Sequence, residues 1–265
     1  MVYSLDPSIL SKIYRPQLGP FFDSMGVENE KGIKIRIKKR GYSVSEKTDI
    51  VNESKTHSIS FFSGAGGLDI GSQLAGSKVI SSLDFDKDSV LTMKSNRFFD
   101  HTHHFHKDIK DVSSSDYSQI IKLNNPEKLI LIGGPPCQPF SKAGYWVTHK
   151  NRLGAKYPRN MIESYIRLIG EILPDGFILE NVESLLHPKH TRSVEELKEV
   201  IDKLGYKLII YKANAIDFGV PQKRKRVFFI ASKKAIVGTP TKTHGSPEER
   251  KINNKLKPYE RVVDW

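Results

Sequence analysis

The sequence predicts an α/β fold: a mostly parallel sheet with helices on both faces. Three observations predict it. Short apolar runs alternate with amphipathic stretches through the centre of the 265-residue chain, the pattern of repeated βαβ units. The first apolar run opens into a glycine-rich turn ahead of a helical stretch, where doubly wound sheets bind ligands. The second run ends on acidic residues, placed to meet ligand hydroxyls at the same sheet edge.

Strands are predicted at Ser58–Phe62, Val79–Leu83, Leu129–Ile132, Gly176–Leu179 and Val227–Ala231, with Lys207–Tyr211 a weaker candidate. Helices are predicted at Gly67–Ala75, Lys87–Asn96, Met161–Leu173 and Val194–Leu204. In the last, Val194, Leu197, Val200, Ile201 and Leu204 fall at helical spacing and are expected to face the sheet. Gly205 is placed to end that helix. Residues 1–56 read as an N-terminal extension, 57–232 as the central domain and 233–265 as a connector rich in lysine, with Pro240, Pro247 and Pro258. Within the extension, Ile33 and the alternating Lys34-Ile35-Arg36-Ile37-Lys38 give one isoleucine face and one basic face. We read an edge strand whose cations deter unwanted pairing; a phosphate-contacting strand is the alternative.

The formal net charge of +12 favours a polyanionic partner, because neutralising phosphates releases condensed counterions. No apolar run approaches the roughly 20 residues that cross a bilayer. The start, Met1 to Pro7, lacks the basic-then-apolar layout of a signal peptide. A single cysteine forms no internal disulfide. An intracellular protein is expected. His101, His103, His104 and His106 suggest a metal site at first sight, but strand alternation sends His104 and His106 to the face opposite the other two. No metal is expected.

The chemistry begins at Ser58–Leu68, a strand, a glycine turn and a helix start. Glycines there let backbone approach a ligand closely, and a helix N-terminus favours negative charge. Asp84, at the tip of the second strand, is placed to accept from ribose hydroxyls, and Phe85 to stack on an adenine. Asp108, ending a third strand, would accept from an adenine amino group. The competing reading is that Asp84, Asp86 and Asp108 cap helices. Together these features suit an adenosyl ligand, without choosing between a nicotinamide cofactor and S-adenosylmethionine. Next, Gly133-Gly134-Pro135-Pro136-Cys137-Gln138-Pro139-Phe140-Ser141 follows a buried strand. Prolines stiffen a loop, and a stiff loop presenting the lone thiol at the sheet edge is a reasonable nucleophile mount.

Four segments in order resemble the cytosine-5 DNA methyltransferase family. Phe-Ser-Gly-Ala-Gly-Gly-Leu at 62–68 matches its first motif and Pro-Pro-Cys-Gln-Pro-Phe-Ser at 135–141 its fourth. Glu180-Asn181-Val182 matches the sixth, and the run from Asp217 to Arg226 the eighth. The resemblance implies a Rossmann-like S-adenosylmethionine-dependent methyltransferase fold. It implies that Cys137 adds to carbon 6 of cytosine, that Glu180 meets N3, that Arg226 bonds O2 and that Arg224 supports the loop or a phosphate. Asn181 would brace the loops. It further implies a cofactor pocket of Phe62, Ser63, Gly64, Ala65, Gly66, Gly67, Asp84, Phe85, Asp108 and Pro135. Position 84 is more often glutamate in this family. The substrate implied is double-stranded DNA, with the target base flipped out of the duplex.

No target recognition region, ninth motif or tenth motif is found after Ala231. The expectation is the catalytic subunit of a split restriction-modification enzyme in the bacterial cytoplasm, completed by a second polypeptide carrying those parts. A fragment of a longer protein is the other reconciliation. A tRNA cytosine-5 methyltransferase is an alternative, though that branch typically has threonine where this chain has Ser141. A non-catalytic cofactor-binding subunit is another.

Overall fold

The structure, a computed structural model, describes residues 54–136, 161–188, 191–234 and 237–262. The basic strand expected at 34–38, Cys137 and the rest of its loop lie outside the described residues. The described residues fall in one unit, Val44–Asp264.

A seven-stranded sheet organises this unit, in the order β3-β2-β1-β4-β5-β7-β6. Its strands are β1 (Thr56–Phe61), β2 (Lys78–Asp84), β3 (His103–His106), β4 (Lys128–Gly133), β5 (Gly176–Val182), β6 (Lys207–Asn214) and β7 (Lys225–Ser232). The chain steps outward from β1 to β2 and β3, then returns to lay β4 on the other side of β1. All pairings from β3 to β5 are parallel. β7 runs antiparallel to both β5 and β6. The expected mostly parallel α/β fold is therefore present.

The two faces of β1 differ. Ile59 and Phe61, fully buried, point toward α3 (Ser114–Asn124) and α4 (Met161–Ile172). There the Phe61 ring meets Tyr117 and Tyr165 edge to face, at centroid distances of 5.5 and 5.8 Å. Tyr165 also meets Phe177, and its hydroxyl donates to the Ile178 carbonyl at 3.0 Å. Burying such a ring contributes about 1.5–3 kcal/mol. The opposite face carries Ser58, whose hydroxyl bonds those of Ser72 and Ser77. Ser72 belongs to α1 (Gly67–Leu74), so α1 covers a polar seam and α3 and α4 an apolar one.

Several elements depart from expectation. α3 was not predicted. A Ser113–Asp116 capping box starts it, and Asn125 ends it in the left-handed region. β6 is a full edge strand of eight residues. On α5 (Thr191–Lys203), Val194, Leu197 and Ile201 are buried as expected, but Val200 is 40% exposed. Phe62 is not extended; its φ of 57° ends β1 abruptly. Between 237 and 262 the chain forms a two-stranded parallel pair, β8 (His244–Gly245) with β9 (Lys257–Pro258), around a short helix, α6 (Pro247–Ile252). The histidines of β3 separate by alternation: His104 Nδ1 bonds Ser82, while the His103 ring packs on Phe105. Burial lowers the pKa of His104 and of His101. Among the described residues, no cluster of three His, Cys, Asp or Glu could hold a metal ion.

Candidate active site

The carboxyl ends of β1, β2, β4 and β5 share one sheet edge. Because β7 is antiparallel, its first residues, Lys225 and Arg226, reach that edge too.

At β1 the chain turns sharply. Phe62, partly buried against the core, holds a left-handed conformation that costs a non-glycine residue roughly 1–2 kcal/mol. Ser63 is buried; its N–H donates to the Leu83 carbonyl at 3.2 Å and its hydroxyl to Ser60 at 2.9 Å. Gly66, at φ 87°, has no room for a side chain: a Cβ there would lie 2.5 Å from Met93 Sδ and 2.9 Å from the Phe99 ring. Gly64 and Gly67 instead face open space, and Ala65 between them is exposed. So one glycine is required by packing, and two leave the turn open to a ligand.

Asp84 ties this turn to the end of β2. Its Oδ2 accepts from the Gly64 N–H at 2.7 Å, and its Oδ1 from the Asp86 N–H at 2.8 Å. Asp84 caps no helix; each oxygen keeps a lone pair for a ligand hydroxyl. Phe85 beside it is 72% exposed, an aromatic face without cover. The other two aspartates each cap a helical turn through one oxygen. Asp86 accepts from Ser89 to cap α2 (Lys87–Ser95), and Asp108 accepts from Lys110 at 3.0 Å to cap a short turn. Open glycines, a two-sided acceptor and an uncovered ring fit an adenosyl cofactor.

The second half of the edge centres on Glu180, whose Oε1 pairs with Arg226 Nε at 2.7 Å. Both side chains are about a quarter exposed (24% and 23%), so the pair opens to solvent. Glu180 Oε2 lies against Gly134, where a Cβ would sit 3.2 Å from it. Gly133 must also be glycine, since a Cβ would lie 2.8 Å from the Tyr165 ring. The buried Asn181 donates from Nδ2 to the Pro135 carbonyl at 3.1 Å, so the residue after Glu180 holds the segment before Cys137. Arg224 is exposed, and its carbonyl accepts from the Ala215 N–H at 3.0 Å.

Two buried acids near these loops were not singled out from sequence. Asp69, in the first turn of α1, is fully buried, and neither of its carboxylate oxygens has a hydrogen-bond partner. Burial pushes its pKa up to about 6, with the nearby Ser60 and Ser63 hydroxyls softening the effect. Asp217 is buried beneath the turn that leads to the arginines. Its place ahead of Gly219 in the eighth motif was the only signal for it.

This sheet order, with an adenosyl-suited turn at β1 and acceptors at the neighbouring tips, defines a Rossmann-like S-adenosylmethionine-dependent methyltransferase. Residues 56–263 match the C-5 cytosine-specific DNA methylase family. The chain belongs to that family, and its cofactor is S-adenosylmethionine. The Type II methyltransferase M.SacI of Streptomyces achromogenes is 32% identical over 222 residues, covering 78% of this chain and 53% of that protein. M.AquIA, a Type II methyltransferase of Picosynechococcus, is 34% identical over 220 residues, covering 78% of this chain and 86% of its relative. A crystal structure of a candidate DNA modification methyltransferase from an E. coli prophage superposes with a TM-score of 0.56 and 29% identity, over 68% of this chain and 47% of that one. The chain spans about half the length of M.SacI and of similarly long relatives. Among the described residues, no helix is long and apolar enough to cross a membrane.

Proposed function

We propose that this chain transfers a methyl group from S-adenosylmethionine to carbon 5 of cytosine in double-stranded DNA, through a covalent adduct at Cys137. The observation that carries this reading is the Glu180–Arg226 pair, set against Gly134 on the segment that leads to the cysteine.

Carbon 5 of cytosine is too weak a nucleophile to take a methyl group unaided. The Cys137 thiolate adds to carbon 6, and the ring's electrons shift to make carbon 5 nucleophilic. Glu180 meets the ring at N3 and favours that addition by hydrogen bonding or protonation. Arg226 bonds O2 and also holds Glu180 in place. Arg224 supports the loop or a phosphate. Asn181, through Pro135, fixes the loop that carries the thiol. Bound S-adenosylmethionine supplies the methyl group as an electrophile. Phe62, Ser63 and the glycine turn hold its methionine part, Asp84 the ribose, Phe85 and Asp108 the adenine, with Pro135 closing the pocket. Loss of the carbon-5 proton then lets the thiolate leave. The base must first be flipped out, since this carbon is inaccessible inside a duplex.

Base choice would come from residues outside this sequence, carried by a second polypeptide with the recognition region and the ninth and tenth motifs. M.AquIA, matched over most of its length, supports a relative of similar extent. In this reading 57–232 is the catalytic domain of a restriction-modification enzyme of the bacterial cytoplasm, and 1–56 and 233–265 flank it.

The test mixes the chain with its complementary polypeptide, cofactor and duplex DNA containing 5-fluorocytosine. The fluorine cannot leave as a proton does, so a covalent complex should accumulate. Trapping by Cys137→Ala would overturn the reading. Methyl transfer to tRNA but not to DNA would replace the substrate.

A further inference from the structure

The 237–262 segment is held against the turn Ala215–Phe218 by a group of charged and polar side chains. The Thr243 N–H donates to the Asp217 carbonyl at 3.0 Å. On the buried Asp217 side chain, Lys242 Nζ lies 3.1 Å from Oδ2, and the Tyr259 hydroxyl donates to Oδ1 at 3.3 Å. Both groups also reach Glu249, Lys242 at 3.2 Å and Tyr259 at 3.1 Å. Lys242 bridges the two acids, and the single Tyr259 hydroxyl hydrogen lies between them and serves one at a time, so the four side chains form a ring of contacts across about forty residues of chain. Hydrogen bonds to Asp217 and Glu249 raise the Lys242 pKa. Beside the ring, His244 packs on Gly219, where φ is 84° and a Cβ would lie 2.6 Å from Cε1.

The same turn is coupled to the active-site edge. The Ala215 N–H binds the Arg224 carbonyl at 3.0 Å, and the Val220 N–H binds the Ala215 carbonyl at 3.3 Å. β7 begins at the next residue, Lys225, and Arg226 follows with its Nε on Glu180. A shift of the 215–218 turn therefore reaches Arg226 through one backbone hydrogen bond and one strand start.

We infer that Lys242, Glu249 and Tyr259 are positioning residues that act through Asp217 to set Arg226 against Glu180. The segment expected as a connector thereby belongs to the catalytic apparatus. The inference rests on the proposed function only for its kinetic consequence; the coupling to Arg226 stands apart from it.

The experiment uses the full chain and two exposed or half-exposed positions, Lys242→Met and Tyr259→Phe, with Lys242→Arg as the conservative control. The Arg226 Nε–Hε signal, assigned by its loss in Arg226→Lys, is followed by two-dimensional ¹H–¹⁵N NMR. The signal should move in Lys242→Met and in Tyr259→Phe, and return in Lys242→Arg. In the methyl-transfer assay with the complementary polypeptide, kcat should fall about tenfold while KM for the cofactor stays within about twofold, since the cofactor loops are not in the ring. An unmoved Arg226 signal in both variants overturns the coupling. Equal losses in kcat and in folded fraction, with the signal unmoved in the folded part, overturn it as well. A moved signal in a protein that methylates no DNA at all supports the coupling and overturns the function instead.

Discussion

Replacing Asp69 with asparagine should stabilise this protein, and more so as the pH rises. The buried carboxyl has no hydrogen-bond partner for either oxygen. Burial moves its pKa from 3.8 to about 6, partly offset by the Ser60 and Ser63 hydroxyls, which lie near but outside hydrogen-bond geometry, and reinforced slightly by the Asp84 charge. In the unfolded chain the group titrates near 3.8, so folding takes up a proton between the two values. Below 3.8 both states are protonated and there is no ionisation cost. Above that, the unfolded state ionises first and stability falls until the pH passes the folded value, after which the deficit is constant. A rise of about two units at about 1.4 kcal/mol each gives a deficit of about 3 kcal/mol at pH 8.

Asparagine keeps the shape and removes the charge. It adds an amide hydrogen that must find a partner, at a cost of about 1 kcal/mol if it does not. The net gain at pH 8 is then roughly 2 kcal/mol, or roughly 4–8 °C in Tm for a domain of this size. At pH 4.5 the deficit has shrunk by about 2 kcal/mol, and the gain should vanish. Thermal unfolding of wild type and Asp69→Asn without cofactor, at pH 4.5 and 8, measures both. An equal change at the two pH values, or a loss at pH 8, would refute the claim that the carboxylate is unpaired.

Three further outcomes follow from the site. Gly66→Ala should cost roughly 2–5 kcal/mol in urea unfolding, because a left-handed backbone and a collision with Met93 and Phe99 act together. Gly64→Ala has the strained φ of 54° but open space around it, so it should cost only about 1–2 kcal/mol while weakening cofactor binding in a titration. Glu180→Gln should lower kcat for methyl transfer by roughly 10²–10⁴-fold, yet change stability by less than about 1 kcal/mol, because its ion pair is open to water.

Five strands were legible because each is an apolar run with a turn signal after it; β3, the run His103–His106, is not apolar and was implied only by the acceptor expected after it at Asp108. β6 was faint because most of its residues are only half-buried at the sheet edge. α3 was missed because its apolar stripe is short: only Tyr117 is fully buried, Ile120 and Ile121 are half-buried against the core, and Leu123 is exposed. Its readable mark was the Ser113–Asp116 spacing of a capping box. Val200 shows the limit of periodicity: at about 100° per residue, Val194, Leu197, Ile201 and Leu204 span about 80° of arc, and Val200 lies beyond their edge. At the site, the glycine turn and Glu180 were plain as residue types, but which glycine is sterically required was not. That depends on Met93 and Phe99, brought in by α2 and the turn after it. The Asp217 ring was invisible for the same reason, since its members lie far apart in sequence.

The order of motif and strand carries more than the motifs themselves. The glycine turn follows β1, the proline segment follows β4, and Glu180 and Asn181 end β5. The arginines alone come ahead of their apolar run, at the start of β7. In an all-parallel sheet that order would strand Arg226 at the far edge, about 25 Å away by the rise of an eight-residue strand. An arginine that must meet Glu180 from the front of a strand therefore requires that strand to be reversed, and β7 is the one central strand that is. The reversed strand pairs on its other side with β6, so its backbone groups are satisfied along both edges. A strand faint in the sequence thus completes the pairing of the strand holding Arg226. Sheet topology and the proposed chemistry of the base site impose the same constraint on this part of the chain.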